Sequence, residues 1–161
     1  MNGQKLFRGV LWGILVALLL VGCSAPANDQ PVITFDGSTC TYKGLSELTV
    51  GEHPFVVKNQ TEDNFSIIIA DLLDGHTFQD LENRIKEQGH VWDESGSNWP
   101  DWFDARGNIR FVAFEKDDSK GEERITLYIQ REGTYAIAIY NTSDETMWPC
   151  APLKVVAAPS E

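Results

Sequence analysis

Residues 124–140 read RITLYIQREGTYAIAIY. In the first half, Ile125, Leu127 and Ile129 alternate with Thr126, Tyr128 and Gln130, the period of a strand with one buried face. Glu132-Gly133 supplies a turn. Thr134 to Tyr140 then puts Tyr135, Ile137 and Ile139 on one face of a second strand. On either side the pattern repeats in shorter pieces. Val32 to Phe35, Cys40 to Tyr42, Pro54 to Lys58, Ile109 to Phe114 and Leu153 to Val156 all read as strands. Ser66 to Ala70 (SIIIA) is continuously apolar, as expected of a central strand covered on both faces. Seven or eight short strands separated by turns predict an all-β sandwich or barrel.

One helix interrupts the strands. Thr77 is placed to cap it, with Asp80 three residues on, an aspartate form of the capping box. Phe78, Leu81 and Ile85 form its apolar face, and Gly89 stops it. Residues 90–107 are irregular and rich in tryptophan, glycine and aspartate.

The first 23 residues carry an address. Lys5 and Arg8 form a positive start, and Gly9 to Val21 is a continuous apolar run. That run is shorter than the roughly 20 residues a comfortable transmembrane helix needs, and it fits a secretory signal. Leu20-Val21-Gly22-Cys23 resembles the bacterial lipobox. The resemblance implies cleavage before Cys23 and attachment of diacylglycerol to its thiol. Two or more acyl chains give stable anchoring, since each buried CH₂ contributes about 0.8 kcal/mol and a single chain is marginal. The expected organisation is a signal peptide over 1–22, a lipidated tether over 23–31, and one domain over 32–161. The expected location is the extracytoplasmic side of a cell membrane or envelope. The alternative is a cleaved, freely secreted protein.

The formal net charge is −11. Residues 1–22 contribute Lys5 and Arg8 and no acid, so removing them leaves −13. A nucleic-acid partner needs a basic surface and is therefore not expected. The acidity reads as solubility, or as weak divalent-cation binding at acidic loops such as Asp117-Asp118.

With Cys23 lipidated, Cys40 and Cys150 remain of the 3 cysteines. In an exported domain such a pair forms a disulfide, here closing most of the domain sequence into one loop. The other readings are a redox pair or metal thiolates. Neither cysteine belongs to a Cys-x-x-Cys or has a histidine close by in sequence.

Phe55-Val56-Val57-Lys58-Asn59 with Phe65-Ser66-Ile67-Ile68-Ile69, then Gly133 to Ile139 (GTYAIAI), then Pro152 to Val156 (PLKVV), together resemble the cupredoxin-like superfamily over about Ile33 to Val156. The resemblance implies a Greek-key β-sandwich of cupredoxin-like type, seven or eight strands with one inserted short helix. In the family a histidine ligand follows the first strand–asparagine–loop, and the Gly-Thr-Tyr strand runs into the copper loop. Here those ligand positions fall near Phe65, Ile139 and Thr142, where the family has histidine, cysteine and histidine. Met147 is placed as the axial methionine would be. A type-1 site needs two imidazoles and a thiolate, which these residues do not supply. The expectation is a copper-free member, with no cofactor.

The histidines His53, His76 and His90 form no metal-binding spacing. They read as exposed loop residues, with a metal site built from His76, His90 and an acid as the alternative. No Gly-x-Ser-x-Gly elbow, P-loop or dinucleotide fingerprint is present, and no enzymatic activity is expected. The sequons at Asn59 and Asn141 read as chance. Trp92, Trp99, Trp102 and Phe103 crowd into a short stretch, and Trp148 lies in the loop where the family holds copper. They read either as a small core roofing the helix onto the sandwich or as a contact surface for a glycan or an envelope protein. The function expected is a membrane-anchored binding or interaction module. An envelope metal-handling protein using histidine and carboxylate ligands is the alternative.

Overall fold

The computed structural model describes residues 30–93, 98–105, 109–112 (backbone only) and 121–159. The signal segment, Cys23, most of the tether and Asp117-Asp118 lie outside the described residues. Among the described residues there are ten strands and one helix: β1 (Val32–Phe35), β2 (Cys40–Lys43), β3 (Glu47–Thr49), β4 (Gly51–Asn59), β5 (Phe65–Leu72), α1 (Phe78–Gln88), β6 (Phe103–Asp104), β7 (Ile109–Val112), β8 (Gly121–Ile129), β9 (Gly133–Asn141) and β10 (Thr146–Val156). They form two sheets, ordered β2-β1-β4-β8 and β3-β10-β9-β5-β6, with β7 also paired to β5. The strand count exceeds the seven or eight expected, because β3 and β6 are too short to show a period in the sequence.

Each pairing follows from what its strand must bury. β8 has the pattern of alternate burial, since Ile125, Leu127 and Ile129 point inward and its other face meets solvent. β5 is buried along its whole length, and β9 along nearly all of its own. The two are antiparallel neighbours, with Ile67 opposite Ile139 and Ile69 opposite Ile137. Between the sheets these residues meet Ile33, Phe35, Phe55 and Val57 in the main core. Phe35 and Phe65 meet edge-on at 5.6 Å, an orientation favoured by the ring quadrupoles.

The outer face of the second sheet carries a second core. Ile68, Ala70, Leu72, Ala136, Ala138, Tyr140 and Met147 lie under Leu81 and Ile85 of α1 and under Trp92 and Phe103. The three alanines leave room for the bulky rings above them. This second layer explains why β5 and β9 carry unbroken apolar runs. At the start of α1, the Asp80 carboxylate accepts from the Thr77 amide (2.7 Å) and hydroxyl (2.9 Å). Gly89 ends the helix at φ +85, a conformation that glycine adopts without Cβ strain.

Candidate functional site

Three strands reach one end of the sandwich and stop there in the same way, on a short polar side chain that bonds the backbone two residues on. After β1, Asp36 Oδ1 accepts from the amides of Ser38 (2.9 Å) and Thr39 (2.7 Å), and Oδ2 accepts from the Thr39 hydroxyl (2.7 Å). The Thr39 hydroxyl, then the Ser38 and Thr39 amides, hold the Asp36 carboxyl well below the usual carboxylate range. After β4, Asn59 accepts from the Thr61 amide (2.9 Å) and hydroxyl (2.8 Å) and donates to the Asp63 carbonyl (2.9 Å). After β9, Asn141 accepts from the Ser143 amide (2.9 Å) and donates to the Asp63 carboxylate (3.5 Å). Asn59 and Asn141 are buried, which withdraws both sequon amides from modification.

The positions implied for copper ligands belong to this end. Phe65 lies directly opposite Asn141, and the Thr142 hydroxyl donates to the Asn64 carbonyl (3.3 Å). Phe65 and Ile139 are fully buried in the main core. Met147 faces away from them. It sits in the second core beneath α1, on the opposite face of the sheet. The expected axial placement of Met147 is therefore corrected, because strand alternation turns it outward.

Cys150 also lies beside this end and is bonded to Cys40. The disulfide joins β2, at the edge of the first sheet, to β10 of the second. This sulfur is covalently committed.

The structure divides the five aromatic residues that the sequence grouped. Trp92, Trp99, Trp102 and Phe103 pack on one another under and beside α1, with centroid separations of 5.6 to 6.4 Å. Trp92 and Phe103 are buried, and the Trp92 carbonyl accepts from the Tyr140 hydroxyl (3.1 Å). Trp99 and Trp102 are half-buried at the rim. The Trp99 indole N–H is buried and has no hydrogen-bond partner among the described residues. Trp148 belongs to the main core instead, where it meets Phe35 at 6.1 Å.

The histidines are not the free loop residues expected; each is half-buried and engaged. His76 stacks on Trp102 at 4.5 Å, with Nδ1 3.6 Å from Asp80. His90 stacks on Trp148 at 3.9 Å, and its Nδ1 lies 2.8 Å from the Met147 carbonyl. A carbonyl only accepts, so Nδ1 carries the proton. His53 Nε2 donates likewise to the Thr49 carbonyl (2.6 Å). Among the described residues, no group of three or more His, Cys, Asp or Glu side chains is placed to hold a metal ion.

A cluster the sequence did not single out lies at the opposite end. Asp71 of β5 and Asp104 of β6 face one another and share the guanidinium of Arg131. The signal was a lone acid closing an apolar run (SIIIAD), which marks a charge at the edge of a core.

The class defined by these features is a two-sheet β-sandwich with a helix laid over one outer face. A solved structure similar to the chain is Na-dithionite reduced auracyanin from the photosynthetic bacterium Roseiflexus castenholzii. It is 21% identical, with 80% of this chain and 95% of that chain covered and a TM-score of 0.39. No protein-family model matches the chain, and no curated protein matches it significantly.

Proposed function

We propose that the chain is a lipid-anchored extracytoplasmic protein, held by Cys23, whose cupredoxin-type sandwich has replaced type-1 copper with packed core and acts as a non-enzymatic interaction module. The observation that carries this reading is the end of the sandwich at Phe65, Ile139 and Thr142. Those side chains offer no imidazole or thiolate, and the Asn59, Asp63 and Asn141 bonds close the loops over them. Cys150, the nearby sulfur, is held in the disulfide. The lipobox at Leu20 to Cys23 supports the address.

For contact with a partner, the helix-side rim is favoured. It presents Trp99 and Trp102, half-buried, and Val91, 64% exposed. One face of Trp102 is already covered by His76, and its edge meets Phe103. With one face taken by the imidazole and the ring only half exposed, the indole offers less flat surface than an open sugar platform, so a protein partner fits the rim better than a glycan.

The test uses the full chain in its native envelope, with a photo-crosslinking side chain placed at Trp102 or, as control, at Tyr128 on the far sheet. A discrete crosslinked protein from position 102 and none from 128 is the expected outcome. Equal or absent crosslinking at both positions contradicts the rim. Adding Cu²⁺ to the detergent-extracted chain is expected to give no intense blue absorption, and stoichiometric blue colour contradicts the copper-free reading.

A further inference from the structure

The three-residue turn Gly44-Leu45-Ser46 joins β2, an edge of the first sheet, to β3, an edge of the second. With the Cys40–Cys150 bridge between β2 and β10, it closes one side of the sandwich. The tether arrives at the same place. The Pro31 carbonyl accepts from the Val56 amide (2.8 Å), and Val32, the first residue of β1, lies opposite Lys43, the last of β2. A Cβ on Gly44 would stand 3.0 Å from the Pro31 Cβ, so the turn and the incoming chain pack closely.

The turn is fixed and holds one apolar side chain outward. The Tyr42 hydroxyl donates to the Leu45 carbonyl (2.8 Å), and the Lys154 amide donates to the Ser46 carbonyl (2.9 Å). The Tyr42 ring packs on the main core, 6.4 Å from Phe55. Glycine is required at 44, where a Cβ would stand 2.5 Å from the Tyr42 hydroxyl oxygen. Leu45 is 67% exposed, more than any other large hydrophobic residue among those described. Scattered exposed leucines are ordinary, so its surroundings decide what it does.

Those surroundings differ in charge from the rest of the molecule. The other described turns of two or more residues between consecutive strands, 36–39, 60–64, 130–132 and 142–145, each carry at least one acid. Residues 44–46 carry none. Lys43 before them is exposed and has no ion-pair partner among the described residues, and Glu47 after them is held by Lys154 Nζ (2.8 Å). The tether adds one acid, Asp29. Cys23 lies eight residues before Pro31, a reach of at most about 26–29 Å. A lipid on that thiol therefore keeps this side of the sandwich near the bilayer.

We propose that Leu45, with Lys43 beside it, is the point at which the sandwich rests on the bilayer; the proposal rests on the anchor at Cys23. The leucine enters the interface, and the lysine lays its stem along apolar surface with its ammonium at the lipid phosphates. One leucine buries too little to bind a membrane by itself, since even a single acyl chain is marginal. On a chain already tethered it only has to select an orientation. Strand β8, at the other edge of the first sheet, then faces away from the membrane.

The test is nuclear magnetic resonance of the processed, lipidated chain in nanodiscs of phosphatidylcholine and phosphatidylethanolamine that include a paramagnetic headgroup lipid. Broadening of the Gly44, Leu45 and Ser46 amides is expected to exceed that of the Thr126 amide on β8. In Leu45→Ser the ratio of docked to undocked chain, read from that contrast, is expected to fall about fivefold to tenfold while the chain stays on the disc. Leu45 is exposed, so this variant keeps the fold. Equal broadening at the two edges, or an unchanged contrast in Leu45→Ser, overturns the bilayer contact and leaves the anchor standing. A chain that does not co-purify with the discs overturns the anchor and the contact together. Broadening of the turn that follows chain concentration rather than the paramagnetic lipid assigns this edge to a second copy and likewise overturns the proposal.

Discussion

Replacing Cys40 and Cys150 together by alanine is expected to lower the unfolding free energy by about 2–5 kcal/mol. The bridge spans 110 residues of sequence, so its absence frees nearly the whole domain in the unfolded state. The chain-entropy account assigns a loop of that length about 4–5 kcal/mol. In the folded state the bridge ties β2 to β10, and hence one sheet to the other, beside Trp148 and Tyr42. Thermal unfolding of the double variant against wild type checks this, with a midpoint expected roughly 5–20 °C lower. A midpoint within about 2 °C of wild type would mean that the sheets hold together by packing alone.

Phe65→Ala is expected to cost about 3–5 kcal/mol in chemical denaturation, comparable to any core truncation in the molecule. Phe65 is fully buried, lies edge-on to Phe35, and occupies the position where the cupredoxin resemblance places a histidine. A metal-ligand position is polar and reachable, and its truncation disturbs packing little. A core position loses both transfer free energy and the contacts around the cavity. A cost below about 1 kcal/mol would mean that Phe65 lines an open site, contrary to the account of a sealed end.

The parts legible in the sequence are those whose cause is local. The alternation of Ile125, Leu127 and Ile129 follows from one buried face, and the unbroken run in β5 from two. The helix from Phe78, with Thr77 before it and Gly89 after it, rests on capping chemistry within a few residues. The bond between Cys40 and Cys150 was legible as the pairing of the two cysteines that remain once Cys23 is set aside as the expected lipid site.

What escaped depends on contacts between distant residues. The first half of β10 was hidden by Pro149 and Pro152, which argue against a central strand. Among the described residues, β10 has β9 along one side, while its other side carries only a bridge at Thr146 and β3 from Lys154 onward. The prolines therefore sit where a ladder hydrogen bond is not required, and the register shifts between Pro149 and Ala151. Met147 and Trp148 are sequence neighbours, yet alternation sends them into different cores. Trp148 was grouped with Trp92, Trp99 and Trp102 through its place in the loop where the resembled family holds copper, and the pleat puts it in the other core. The Asp71–Asp104 pair arises only when β6 docks on β5, a pairing of two residues with no pattern of its own.

The anchor is tested most directly by the intact mass of the protein extracted from membranes. The account predicts a chain that begins at Cys23, carries a diacylglyceryl group on that thiol, and moves to the soluble fraction in Cys23→Ser. A membrane-bound chain with an unmodified Cys23 thiol, or a Cys23→Ser protein that still sediments with membranes, would contradict it.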